Sequence, residues 1–388
     1  MDFDQIIERR QTHSLKWDML QSLYGLSPDD GIPMWIADME FKPPESVQRA
    51  VLEMAEHGVF GYYGDDRSYL VAIRNWLRRR HDWEIETDWI FTAHGLVNGT
   101  ALCIDAFTEP GDGIVIFTPV YHAFSRVIRG LSRKIVECEL VNRDGRYVMD
   151  FEAYDARMTG RESMAILCSP HNPGGRVWTG DELAELVRFC ERHDLFLVSD
   201  EIHQDLVFDG NRHIPTAVAA PRSSDRLMTL TAATKTFNIA GCHTGNVIIS
   251  DRDLHQRFGT RMMGHGISPG SFGPNMVEAA YNDGEPWLEE LLTYLDGNRK
   301  LFDETINAIP GAASMPLEAT YLAWVDFSGT GLGYTELVER IQKRAAVAPS
   351  HGHTFGSGGQ QFMRFNFACQ RSVLEEALDR LQLVFSDH

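Results

Sequence analysis

The chain has 388 residues and a mass of 43.9 kDa, and its 36 Lys and Arg stand against 55 Asp and Glu, a formal net charge of −19. At ~150 residues per domain this length suggests two or three domains, and 43% apolar residues with 10% aromatics is a globular composition rather than a disordered one. So acidic a balance argues against a nucleic-acid partner held by clustered Lys and Arg, and it says nothing about fold.

The start, Met1-Asp2-Phe3-Asp4, carries acids where a signal peptide carries bases, and no apolar run approaches the ~18 residues of a membrane span, so a soluble, cytoplasmic protein without membrane contact is expected. The cysteines at 103, 138, 168, 190, 242 and 369 are far apart and form no C-x-x-C pair, which fits reduced thiols. Residues 1–44 hold Pro28, Pro33, Pro43 and Pro44 and little periodicity, the pattern of an arm that packs with the small domain.

From residue 45 amphipathic helical patterns alternate with short apolar runs, which predicts a large α/β domain over 45–281 with a mostly parallel sheet covered by helices. Leu183, Leu186, Val187 and Cys190 recur at helical spacing, and Leu195-Phe196-Leu197-Val198 follows as a strand buried on both faces, ending at Ser199-Asp200-Glu201. Similar runs are Ile114-Val115-Ile116-Phe117, Ala165-Ile166-Leu167-Cys168 and Leu227-Met228-Thr229-Leu230. Beyond Tyr281, helical stretches over 287–306, 335–344 and 371–384 and strands over 321–327 and 362–367 predict a smaller α+β domain, 282–388, in which 351–359, rich in His, Gly and Ser, reads as a loop.

Ligands of a parallel sheet sit beyond the carboxyl ends of its strands, and three such ends carry chemistry. In Thr231-Ala232-Ala233-Thr234-Lys235-Thr236 one lysine follows an apolar strand, and a desolvated lysine that loses its proton can form a Schiff base. A surface lysine on a Thr-rich turn has the same local sequence. Asp200 ends a buried strand, where it needs a cationic partner unless it caps a helix. A pyridinium nitrogen is one such partner, and Lys with Asp is the pair that pyridoxal phosphate chemistry uses. In Ser169-Pro170-His171-Asn172-Pro173-Gly174-Gly175 the Asn172 amide can donate to a phenolate oxygen, or the segment is simply a turn. Arg364, on a strand among aromatics, needs an anionic partner, which a structural ion pair would also supply.

Together, S-P-H-N-P-G-G, S-D-E-I-H, T-K-T-F-N-I-A-G and F-M-R-F-N-F-A, in this order over nearly the whole chain, resemble the class I/II aminotransferase superfamily of pyridoxal-phosphate enzymes. Pro33-Met34-Trp35-Ile36-Ala37-Asp38-Met39, His203 three residues after Asp200, and Thr354-Phe355-Gly356 followed by Gly358-Gly359 resemble most its carbon-sulfur lyase branch of the MalY/PatB type. The resemblance implies the fold type I architecture, a pyridoxal 5'-phosphate cofactor, an amino-acid substrate and a homodimer with shared active sites. It implies Lys235 as the Schiff-base lysine, Asp200 as the partner of the ring nitrogen, Asn172 as donor to the ring oxygen with His203 near it, and Tyr121 as the ring stacked on the cofactor. Gly95, Leu96 and Val97 would form the phosphate loop, Tyr62 would reach the phosphate of the neighbouring subunit, and Arg364 would clamp the substrate carboxylate in a pocket with Trp35 and Ala37.

Two positions depart from the family pattern. His243 stands where an arginine often binds phosphate, and Ala232 where a serine does, with Thr231 and Thr234 as substitutes. A metal held by His351 and His353 with His265 or His243 is a rival chemistry, although a Gly-rich loop offers no fixed geometry. The expected activity is cleavage of cystathionine or another S-substituted L-cysteine to a thiol, pyruvate and ammonia; transamination uses the same residues and is the alternative, and a regulatory role is a third.

Overall fold

The computed structural model describes residues 1–208 and 210–386. Its strands, in chain order, are β1 (Ile32–Met34), β2 (Ile90–Ala93), β3 (Gly113–Thr118), β4 (Lys134–Glu139), β5 (Val141–Arg143), β6 (Arg146–Val148), β7 (Glu162–Cys168), β8 (Phe196–Asp200), β9 (Leu227–Thr231), β10 (Gly245–Ile248), β11 (Ala313–Ser314), β12 (Leu322–Asp326), β13 (Val347–His351) and β14 (Phe362–Asn366). Seven form one sheet in the order β2-β10-β9-β8-β7-β3-β4, in which β4, β3, β7, β8 and β9 run parallel and β10 runs antiparallel to both its neighbours.

The continuous apolar runs are explained by this sheet. Side chains alternate faces along a strand, so Ile114, Ile116, Ile166, Val198, Met228 and Leu230 enter one core, and Val115, Phe117, Ala165, Leu167, Leu197 and Leu227 enter the core on the other side. The first core is closed by the helix Leu96–Phe107 through Leu102, Cys103 and Ile104. The second is closed by the helix Gly180–Arg192 through Leu183, Leu186, Val187 and Cys190, the residues at helical spacing. That helix starts on a capping box, with Thr179 accepting from the Glu182 N–H and Glu182 from the Thr179 N–H, worth about 1 kcal/mol.

A second sheet has the order β1-β13-β14-β12-β11. The helices Glu285–Asn307 and Arg371–Phe385 cover it with Leu288, Leu291, Leu295, Phe302, Leu374, Leu378 and Leu381. Asn298, buried in the first of them, donates to the Phe367 and Cys369 carbonyls at 3.0 and 2.8 Å and fixes the chain leaving β14. The N-terminal arm supplies β1, which pairs in parallel with β13, and two short helices, Leu15–Asp18 and Leu20–Tyr24.

Two elements differ from expectation. The expected loop over 351–359 begins as strand, because Ser350 and His351 pair with Arg364 and Met363, and it continues as one 3-10 turn, Gly352–Phe355. The helix expected over 335–344 is α-helical over Tyr334–Val338 and widens to a π-helix over Glu339–Arg344. Among the described residues no helix is long and apolar enough to cross a membrane, and the six cysteines form no disulfide.

Candidate active site

β7, β8 and β9 are adjacent and parallel, with Cys168 beside Asp200 and Asp200 beside Leu230, so their carboxyl ends open on one edge at the ~4.8 Å spacing of neighbouring strands. That edge brings Asn172, Asp200 and Lys235 together from three separate stretches of sequence. The turn after β7 is fixed by main-chain bonds from His171 to Arg176 and from Gly175 to His171, both 2.8 Å. Gly175 has φ +64°, and a Cβ there would lie 2.2 Å from a Leu317 methyl, so only glycine fits.

Asp200 is buried and forms no ion pair with any described residue; its Oδ1 accepts one hydrogen bond, from the Ile202 N–H at 3.2 Å. No helix begins there, which removes the capping explanation. Burial pushes its carboxyl up to about 7, against the weaker pull of Lys235. Lys235 sits in the one-turn helix Ala233–Thr236 that follows β9, and its Nζ donates to the Ala37 carbonyl. Burial pulls its ammonium down to about 8; Asp38 and Asp200 oppose that change, while Arg364 and Lys16 reinforce it.

Arg364 lies on β14 and is buried. Its Nη1 donates to Asn172 Oδ1 at 2.9 Å, and its Nη2 donates to the Trp35 carbonyl at 2.7 Å and to Ser350 Oγ at 3.0 Å. Among the described residues Nε has no partner and no carboxylate pairs with the group, and the guanidinium lies 5.0 Å over the Phe355 ring. Burial lowers its pKa to about 10. An uncompensated buried cation with a free donor is the electrostatic complement of an anionic ligand.

His203 is buried with Nδ1 unpartnered, and burial beside Lys235 and Arg364 holds the ring neutral, its pKa down at about 3. Tyr121 precedes the helix His122–Gly130 at the end of β3; its ring is half-buried, and burial, with Asp200 adding to it, raises its phenol pKa. Gly95, with φ 82°, stands before the helix Leu96–Phe107 with no side chain capping it and open space around its α-carbon, which leaves the Leu96 and Val97 N–H groups free for an anion. Gly245 abuts this turn, since a Cβ there would meet Leu96 at 2.5 Å. Thr231 Oγ1 is buried without a partner and Thr234 is buried, whereas His243 is exposed with φ 46°.

Trp35 and Ala37 enter the site through main-chain carbonyls: Trp35 O faces Arg364, and Ala37 O takes both Lys235 Nζ and the Tyr321 hydroxyl at 3.0 Å. Tyr62 stands apart, wholly exposed at 107%. The metal alternative finds no set of three His, Cys, Asp or Glu ligands among the described residues; His351 bonds Tyr334 and Gln342, and His265 bonds Asp105.

Sequence reasoning missed the buried charges behind the lysine. Lys16, 1% exposed, lies 2.7 Å from Glu40 and 3.6 Å from Asp38, and Arg9 pairs with Asp38 at 2.6 Å and Glu40 at 3.0 Å. Asn366 donates to the Ile36 and Asp38 carbonyls, and Asn238 bonds Met39 and Phe41, so residues 36–41 are held rigidly against Lys235. Asp38 was legible inside the Pro33 to Met39 string, but nothing around Lys16 marks it as buried.

The profile of the family described as "Aminotransferase class I and II" matches residues 30–381. The chain is 37% identical over 389 aligned positions to cystathionine beta-lyase PatB of Bacillus subtilis (strain 168), covering all of both chains. It is 32% identical to protein MalY of Escherichia coli (strain K12), covering 97% of each. Among solved structures it is similar to cystalysin from Treponema denticola, which contains a pyridoxal 5'-phosphate cofactor: TM-score 0.94, 35% identity, 100% of this chain and 99% of that one.

Proposed function

The chain belongs to the class I and II aminotransferase family, and from that premise we propose that it is a pyridoxal-phosphate-dependent carbon-sulfur β-lyase acting on cystathionine or other S-substituted L-cysteines. The observation that carries this is the pairing of a buried, unpaired Asp200 with a lysine whose pKa is pulled to about 8, beside an arginine that lacks an anion. PatB carries the name of that activity.

The residues present fit the cofactor. Asp200 lacks the cation that a protonated ring nitrogen supplies; Asn172 Nδ2 has no partner among the described residues and suits the ring oxygen; Leu96 and Val97 N–H groups with Thr231 Oγ1 suit the phosphate. Tyr121 and His203 flank this space, with Thr234 beside Lys235, while His243 is exposed. Bound there, the cofactor supplies an electron sink for negative charge at the substrate Cα.

Arg364 binds the substrate α-carboxylate and thereby fixes which Cα bond faces Lys235. Lys235, neutral once released by the substrate amine, takes the Cα proton as general base. The C–S bond then breaks, the sulfur leaves as thiolate and takes a proton from the Lys235 ammonium, and hydrolysis of the three-carbon remainder yields pyruvate and ammonia. His203, held neutral, adds no second cation. In the test, cystathionine is supplied with no keto acid: sustained release of homocysteine, pyruvate and ammonia is expected, and a requirement for a keto acid acceptor would instead establish transamination.

The lowered lysine pKa has a measurable sign. Only the neutral amine attacks the cofactor carbonyl, so the rate at which cofactor-free protein gains visible absorbance with pyridoxal phosphate rises about tenfold per pH unit below about 8 and levels off above it. A lysine of ordinary pKa would keep that rate climbing to beyond pH 10.

The active unit in this reading is a homodimer. Val59, Phe60, Tyr62 and Phe272 are exposed at 71%, 61%, 107% and 42%, a patch that a second copy would bury while Tyr62 reaches its phosphate site. Light scattering is expected to give twice 43.9 kDa. The two sheets correspond in the same reading to a cofactor domain over 45–281 and a small domain over 282–388 with the arm 1–44, and the free thiols suit the cytoplasm.

A further inference from the structure

We propose that the cleft on the far side of Phe355 from Arg364 receives the sulfur substituent and selects one that ends in an anion, with Arg126 and Arg129 as the specificity-determining residues. This rests on the β-lyase reading, which leaves the substituent open.

The argument begins with the helix His122–Gly130. His122, Ser125, Arg126 and Arg129 fall at i, i+3, i+4 and i+7 and share one face, while Ala123, Phe124 and Ile128 are buried on the other. The polar face lines an open cleft of about 760 Å³ whose opposite wall includes Ser357. The cleft adjoins the carboxylate clamp: Arg364 lies 5.0 Å over Phe355, and the Phe355 ring stands edge-on to His122 at 5.9 Å. In this proposal a substrate with its α-carboxylate on Arg364 directs its sulfur substituent past His122, which lines the cleft, to the two arginines.

Neither guanidinium has a hydrogen bond or ion pair with a described residue. Glu137 is the one carboxylate among the lining residues, and it accepts the Ser357 N–H at 3.2 Å. His122, exposed on the cleft, has its pKa lowered to about 4 by partial desolvation and by Arg364 and Arg126, and is a neutral hydrogen-bonding group at pH 7. The arginine side of the cleft is therefore positive and unsatisfied in a protein whose net charge is −19. A terminal carboxylate meets it with an ion pair, whereas its neutral isosteric amide can only accept a hydrogen bond there. Both arginines are exposed, so solvent screening limits the gain to about tenfold.

The test compares S-(2-carboxyethyl)-L-cysteine with S-(2-carbamoylethyl)-L-cysteine on the holoenzyme, which differ by charge at equal size. The expected ratio of kcat/KM for pyruvate release is about ten in favour of the acid, falling to about one in the R126Q/R129Q variant and at high salt. A ratio near one in the unaltered enzyme, or one that the variant leaves unchanged, would overturn the proposal. If neither conjugate yields pyruvate, cystathionine decides the lyase reading separately, and calorimetric dissociation constants for the same pair still give the ratio that decides the arginines' role.

Discussion

Replacing Lys235 by alanine is expected to lower pyruvate release by at least about 10⁴-fold and to remove the visible absorbance that the protein gains with pyridoxal phosphate. Both losses follow from one group. In the proposed reading the amine that binds the cofactor covalently is also the base at Cα, and no other lysine stands at the ends of β7, β8 and β9. Lys16, the other buried lysine near the site, is engaged by Glu40 and Asp38 and cannot substitute. The fold should survive, because the Ala37 carbonyl that loses the lysine keeps the Tyr321 hydroxyl at 3.0 Å. A folded K235A protein that stays coloured and active would contradict the assignment.

For Arg364→Ala, kcat/KM for amino-acid substrates is expected to fall about 10²- to 10³-fold, some 3–4 kcal/mol, with cofactor absorbance little changed. The sign of the stability effect separates a substrate clamp from a structural arginine. Breaking a buried ion pair strands a charge and costs about 3–5 kcal/mol, but among the described residues Arg364 has no carboxylate partner and its Nε is unbonded, so its removal strands none. The variant should therefore lose activity while keeping its Tm within a few degrees. Arg364→Lys should recover only part of the loss, since an ammonium cannot give the two parallel bonds of a guanidinium. A large drop in Tm with near-normal kcat/KM would make the arginine structural.

These residues were legible in the sequence because each stands beside a recognisable element. Asn172, Asp200 and Lys235 follow apolar runs that alternate between two cores, and a polar residue at the end of such a run has few places to go other than the open edge of a parallel sheet. Arg364 was conspicuous as a charge between Phe362 and Phe367. The rest of the site was not legible, because it is built from main-chain carbonyls and long-range pairs. The partners of Lys235 and Arg364 at Ala37 and Trp35 lie 198 and 329 residues away and present only backbone oxygen, which no side-chain pattern encodes. Lys16 reads as an ordinary polar residue of a short helix, and its burial follows from where the arm lies. The strand character of 350–351 likewise comes from pairing with β14 and not from its own composition.

The central claim is that the cofactor is held by one lysine at the end of β9. It is tested most directly by reducing the holoenzyme with borohydride and mapping the peptides by mass spectrometry. The account predicts one pyridoxyl-phosphate adduct per chain, on Lys235; an adduct on another lysine, or none, would contradict it.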